Sequence, residues 1–115
     1  MLAVKNKVLE SALRSLLELN ESGDEIDVAS DSINFFEKLS RLEVDLILLD
    51  WGFFSSKTVE IIKLIKHDYP LINLICMDIH HENIKNALNA SADGFFFKSD
   101  PPCELLRLIG DFRTG

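Results

Sequence analysis

Asp50 and Lys98 are the residues of this chain best placed to share a site. Asp50 closes the run Val44-Asp45-Leu46-Ile47-Leu48-Leu49-Asp50, and Lys98 closes Gly94-Phe95-Phe96-Phe97-Lys98. An acid and a lysine, each at the exit of an apolar strand-like segment, point to one edge of a sheet where a carboxylate meets its counter-charge. Such a pair reads in two ways: as an ion pair without chemistry, or as a working carboxylate. Other reactive side chains offer less. Cys76 lies inside an apolar run and reads as a small core residue, since buried thiols are usually inert. His80 and His81 are adjacent, and neighbouring side chains on a helix diverge, so they do not read as a metal pair. Neither a G-x-G-x-x-G nor a Walker pattern occurs, and no nucleophile–base pair stands out. An unrelated α/β small-molecule-binding domain is therefore the weakest reading, and enzyme activity is not expected.

The elements that must position Asp50 and Lys98 follow from periodicity. Leu2 to Val4, Ile26 to Ala29, Leu46 to Leu49, Ile72 to Met77 and Phe95 to Phe97 read as strands. Between them run helical stripes. Val8, Leu9, Ala12, Leu13, Leu16 and Leu17 form the first, Phe35, Phe36, Leu39 and Leu42 the second, and Val59, Ile62 and Ile65 the third. Ile84, Ala87 and Leu88 mark the fourth, and Leu105, Leu108, Ile109 and Phe112 the fifth. Asn20 to Asp24 is a turn, Ser30-Asp31-Ser32 offers a helix cap, and Tyr69-Pro70 stops the third helix. Trp51 to Ser56 is a loop, and Pro101-Pro102 opens the last helix, where proline is tolerated.

Five strand–helix units predict an α/β domain with a parallel sheet covered on both faces. The site of such a sheet lies at the carboxyl ends of its strands. Those ends hold Lys5 and Asn6, Asp50, Cys76 and Met77, and Lys98.

Composition bounds the rest. A chain of 115 residues supports one domain, spanning 1–115, and 47% apolar with 27% charged residues is ordinary globular usage. A net charge of -7 argues against this domain gripping nucleic acid alone. Cys76 and Cys103 form no C-x-x-C pair, which fits a reduced protein. Charged residues follow Met1-Leu2-Ala3-Val4 at once, unlike a signal peptide, and no apolar run approaches the ~20 residues of a membrane span. A cytoplasmic protein without membrane attachment is expected.

With these elements in order, the chain resembles the receiver domain of bacterial two-component response regulators. Leu46 to Asp50, Asn89-Ala90-Ser91-Ala92-Asp93-Gly94-Phe95 leading to Lys98, and the fivefold alternation carry the resemblance. The stretch Lys98-Ser99-Asp100-Pro101-Pro102-Cys103-Glu104-Leu105-Leu106 is most similar to receivers that precede LuxR-type helix-turn-helix output domains. The resemblance implies a flavodoxin-like, CheY-like doubly wound sheet of five parallel strands, order 2-1-3-4-5, with five helices. It implies Asp50 as phosphoacceptor, Lys98 as phosphate contact, and Cys76 and Phe95 at the switch positions. It implies a protein partner, a histidine kinase or a downstream regulator, and homodimerisation through the fourth helix, fifth strand and fifth helix. The chain would then be the N-terminal part of a longer regulator.

This sequence departs from the family's pattern where the metal binds. The acidic pair that holds Mg²⁺ falls on Lys5 and Asn6, with the Gly52 carbonyl as a further ligand position. Mg²⁺ favours charged carboxylates in near-octahedral geometry, so no cofactor is expected unless Asp50 is phosphorylatable. The hydroxyl of the switch falls on Cys76, and Phe95 lacks one. The leading reading is a receiver that acts by protein contact with impaired or absent Mg²⁺-dependent phosphorylation. The alternative is a working receiver in which Asn6 and the Gly52 carbonyl hold weak Mg²⁺. Lys5 is expected to supply the metal's charge in cis. Phe53 and Phe54 are expected over the pocket, with a partner surface as the other reading.

Overall fold

The computed structural model describes residues 1–20 and 26–114. Five strands alternate with five helices: β1 (Leu2–Ala3), α1 (Lys7–Asn20), β2 (Val28–Ala29), α2 (Ser32–Arg41), β3 (Leu46–Asp50), α3 (Thr58–Asp68), β4 (Asn73–Asp78), α4 (Glu82–Asn89), β5 (Gly94–Phe97) and α5 (Pro102–Thr114). All strand pairs are parallel, and the order is β2-β1-β3-β4-β5, as expected. The turn expected at Asn20 to Asp24 falls almost wholly outside the described residues.

Strands β3 and β4 read as continuous apolar runs because both of their faces are covered. Ile47, Leu49, Leu74 and Cys76 point to one face, where Phe35 and Leu39 of α2, Ile62 and Ile65 of α3 and Ala87 of α4 cover them. Leu48, Ile75 and Met77 point to the other, under Leu13 and Leu17 of α1 and Leu105 and Ile109 of α5. Each large aliphatic chain fully buried this way contributes about 1.5–3 kcal/mol. A slip of one residue would exchange the two sets, so the pairing of Leu46 with Asn73 through Asp50 with Met77 is strongly specified.

The helix ends follow local chemistry. Asp31 has extended backbone and its Oδ1 accepts the Asn34 N–H at 2.7 Å, which starts α2. Tyr69, before Pro70, leaves the helical region and ends α3. Beyond α3, Lys66 Nζ donates to Asp93 Oδ2 at 2.8 Å and to the Ile72 carbonyl at 2.6 Å, and the same carboxylate oxygen accepts the Leu74 N–H at 2.8 Å. One half-buried ion pair thus ties α3, the start of β4 and the approach to β5. Past α4, Ser91 takes φ 78°.

Three expectations shift. Val8 and Ala12 belong to the predicted stripe of α1 but are exposed, and Leu13 and Leu17 form its buried seam. Leu42 and Leu88 are likewise exposed at the margins of their stripes. Strand β4 runs one residue past Met77, so Asp78 is its last member.

Two outcomes follow from the core and its caps. Ser91→Gly should raise stability by roughly 0.5–1 kcal/mol in urea melts, because a left-handed residue costs about 1–2 kcal/mol and glycine's unfolded-state entropy returns part of that. Burial pushes the Cys76 thiol up to about 12, with the charge of Asp93 adding to the effect. Its folded value lies above its unfolded one, so the stability it carries is present below about pH 9 and lost as pH rises toward 12. At about pH 8 a thiol reagent should therefore titrate Cys103 alone in the native protein, and both cysteines after denaturation.

Candidate functional site

The carboxyl edge of the sheet is where apolar burial ends and polar side chains become affordable. Asp50, the last residue of β3, is the first of its strand to carry a charge there, and it is still buried. Its neighbour across β4 is supplied by the end of β5. Lys98 Nζ lies 2.6 Å from Asp50 Oδ1, a short charge-assisted contact. The Lys98 N–H bonds the Asp78 carbonyl at 3.0 Å, which sets where the lysine leaves the sheet. The two residues singled out by sequence therefore meet.

The loop after Asp50 is held tightly. Trp51 N–H bonds the Met77 carbonyl at 2.9 Å, and Phe53 N–H turns back to the Asp50 carbonyl at 2.9 Å. Thr58 Oγ1, buried at the start of α3, donates to the Trp51 carbonyl at 2.6 Å. Phe53 and Phe54 do not cover the pocket. Both are buried in the core cluster and pack against α2, where Phe54 meets Phe35 at 5.0 Å and Phe36 at 5.9 Å between ring centres. Two adjacent phenylalanines gain more by completing this aromatic cluster than by standing over a charged pair.

The positions where the acidic pair was expected take other roles. Asn6 Oδ1 accepts the Val8 N–H at 2.9 Å and the Leu9 N–H at 3.1 Å, so it serves as the cap of α1. It does not offer a spare oxygen to the pocket. Lys5 is exposed and forms no ion pair among the described residues; the cation paired with Asp50 is Lys98. Lys5 instead lines a groove of about 870 Å³ between α2 and the loop after β3, with Phe36, Phe54 and Lys57. That groove opens beside the exits of β2 and β3. The Gly52 carbonyl already accepts the Ser55 N–H at 3.2 Å.

The donor set does not fit Mg²⁺. That ion calls for several oxygen ligands in octahedral array. Here Asp50 is paired with a cation, Asn6 is spent on a helix end, and the third position is a lysine. Among the described residues no cluster of three His, Cys, Asp or Glu side chains could hold a metal ion.

The switch positions are also occupied by packing. Cys76 is fully buried opposite Leu49, two residues before the strand end, and is not exposed at the edge. Phe95 is half-buried between Trp51, at 6.5 Å, and Phe97, at 5.2 Å. Phe97 in turn stacks on His81 at 4.1 Å, while His80 turns toward Glu82 at 3.9 Å, so the adjacent histidines diverge.

Asp78 escaped the sequence reading. It is a second buried acid at the same sheet edge, and its Oδ2 accepts from Asn83 Nδ2 at 2.5 Å. An aspartate directly ending the run Leu74 to Met77, with an asparagine five residues on, was the available signal. Thr58 was missed too, because a threonine opening a helix has many bland roles.

A family model described as the response regulator receiver domain matches residues 4–110. The transcriptional regulatory protein LnrK of Bacillus subtilis is 32% identical over 110 residues, covering 94% of this chain and 50% of LnrK. The chain spans about half the length of the curated relatives it matches. A LuxR family DNA-binding response regulator from Silicibacter pomeroyi superposes with a TM-score of 0.84 at 27% identity, covering 99% of this chain and 89% of that one. The isolated receiver domain of RcsB from Salmonella enterica serovar Typhimurium, in its apo form, gives 0.88 at 19% identity, covering 99% and 86%, a likeness of fold. The family match runs from β2 through β5 and takes in both Asp50 and Lys98, and the chain belongs to the response regulator receiver family.

Proposed function

We propose that this receiver signals by protein contact, with Mg²⁺-dependent phosphorylation of Asp50 impaired or absent. The observation that carries the reading is the commitment of Asn6 to the α1 cap beside an outward Lys5. Asp50 is left as a single carboxylate already neutralised by Lys98. Phosphoryl transfer depends on positioning and on neutralising charge on the equatorial oxygens, work that the metal largely does. A phosphoryl group arriving at Asp50 would meet one ammonium and no metal cradle. Phe95, held between Trp51 and Phe97, would have to break two ring contacts to move. The pocket therefore favours one state.

The partner in this reading is a histidine kinase or a downstream regulator, in the cytoplasm, and a homodimer through α4, β5 and α5 is the contact to test. No helix among the described residues is long and apolar enough to cross a membrane. DNA binding would belong to a part of a longer regulator outside this chain, as the half-length match to LnrK suggests. One observation favours the second reading, a working phosphoacceptor: the acceptor and lysine of the family's pattern stand 2.6 Å apart here.

Incubation with acetyl phosphate and Mg²⁺ separates the two readings by intact mass. The expected result is no added phosphoryl group on folded protein; a single addition absent from Asp50→Asn would establish the phosphoacceptor. Magnesium should also leave the fluorescence of Trp51, which adjoins Asp50, unchanged. The double variant Lys5→Asp with Asn6→Asp should restore a saturable response, since one oxygen of a carboxylate at position 6 still caps α1 while its second replaces the amide nitrogen, and a carboxylate replaces the Lys5 ammonium beside it.

A further inference from the structure

A cavity of about 200 Å³ lies between α1 and α5, on the face of the sheet away from the aromatic cluster. Leu9, Leu13 and Leu16 of α1, Met77 and Phe96 of the sheet and Leu105 of α5 form its apolar walls. Its charged lining residues are Lys98 and Asp100. This is a ligand-site pattern: a partly open apolar space with few polar groups at one end. A space of this size is large enough for a single-ring molecule.

Lys98 makes the cavity more than a packing defect. Its ammonium carries three donors, and among the described residues its one partner is Asp50 Oδ1. Two donors of a half-buried cation are thus left without a protein acceptor. Charge narrows what could satisfy them. A carboxylate ligand would meet Lys98 but also the exposed Asp100 and nearby Asp50. An amine would face Lys98 itself. A neutral group with one acceptor oxygen meets neither objection.

We propose that this cavity binds a small neutral molecule, a single ring or short chain with one hydrogen-bond acceptor, whose acceptor takes a spare donor of Lys98. Occupancy engages the same ammonium that holds Asp50, so the ligand acts on the acceptor pair from behind the sheet. The inference does not depend on whether Asp50 takes phosphate.

The test is methyl-resolved NMR of this chain titrated with acetophenone, with benzoate and benzylamine as charged counterparts of similar size. Saturable shifts are expected at Leu13, Leu16, Leu105 and Met77, with both charged probes at least about tenfold weaker. Ala12→Phe, placed at the exposed edge of the cavity, should abolish binding while the melting temperature holds; Leu9→Phe is the second filling variant should the first not fold. Lys98→Met should weaken acetophenone and leave ethylbenzene unaffected. No shift at these residues, equal binding of benzoate, or undiminished binding by a folded filled variant would overturn the proposal. Concentration-dependent shifts at the same residues without any probe would overturn it in favour of a second copy of this chain covering the face.

Discussion

Burial of both faces of β3 and β4 is the constraint from which the rest of this structure follows. Two central strands covered by helices on each side cannot slip by a residue without sending one apolar set into the other layer. That pins Asp50 beside Met77 and Phe97 beside Asp78. The ends of β3 and β5 then fall at one edge, with β4 between them, and Lys98 reaches Asp50 across it. The charged pair is a consequence of the register, not its cause. A partly exposed ion pair is worth little to stability by itself. Its value is positional, because it places a neutralised carboxylate where the loops of the sheet converge.

The same core explains the stiffness of the site. The loop after Asp50 is anchored from below by Phe53 and Phe54, which join Phe35 and Phe36. It is anchored from above by Thr58 on the Trp51 carbonyl. Trp51, Phe95, Phe97 and His81 then continue ring to ring along β5 toward α4. Aromatic contacts of this kind each add about 0.5–1.5 kcal/mol beyond their buried area. Movement of any one ring has to be accommodated by the next, and the edge of the sheet is coupled to α4 both through this packing and through the Asn83 hydrogen bond to Asp78.

Polar economy decides what the site can hold. Asn6 satisfies two backbone donors at the start of α1, a role worth about 1 kcal/mol. An oxygen used that way is withdrawn from the pocket. Lys5 faces the groove beside α2 rather than Asp50. Among the described residues the cation paired with the acceptor is Lys98, which also lines the apolar cavity behind the sheet, so one ammonium serves both the carboxylate and that cavity.

Strand and helix identity, the parallel sheet, and the meeting of Asp50 with Lys98 were legible in the sequence, because apolar periodicity is a local signal and strand exits inherit their residue directly. The loss of the acidic pair at Lys5 and Asn6 was equally visible. What side chains do once loops close was not. Phe53 and Phe54 could be read as a cover over the pocket or as a partner surface, and the aromatic faces of α2 drew them into the core instead. Asn6 could be read as a metal ligand until the first turn of α1 presented two N–H groups to its oxygen. Asp78 and the α1–α5 cavity depend on how far β4 extends and how closely two distant helices approach. Residue type and spacing determined which groups reach the sheet edge; only tertiary packing decided which of their donors and acceptors were still free there.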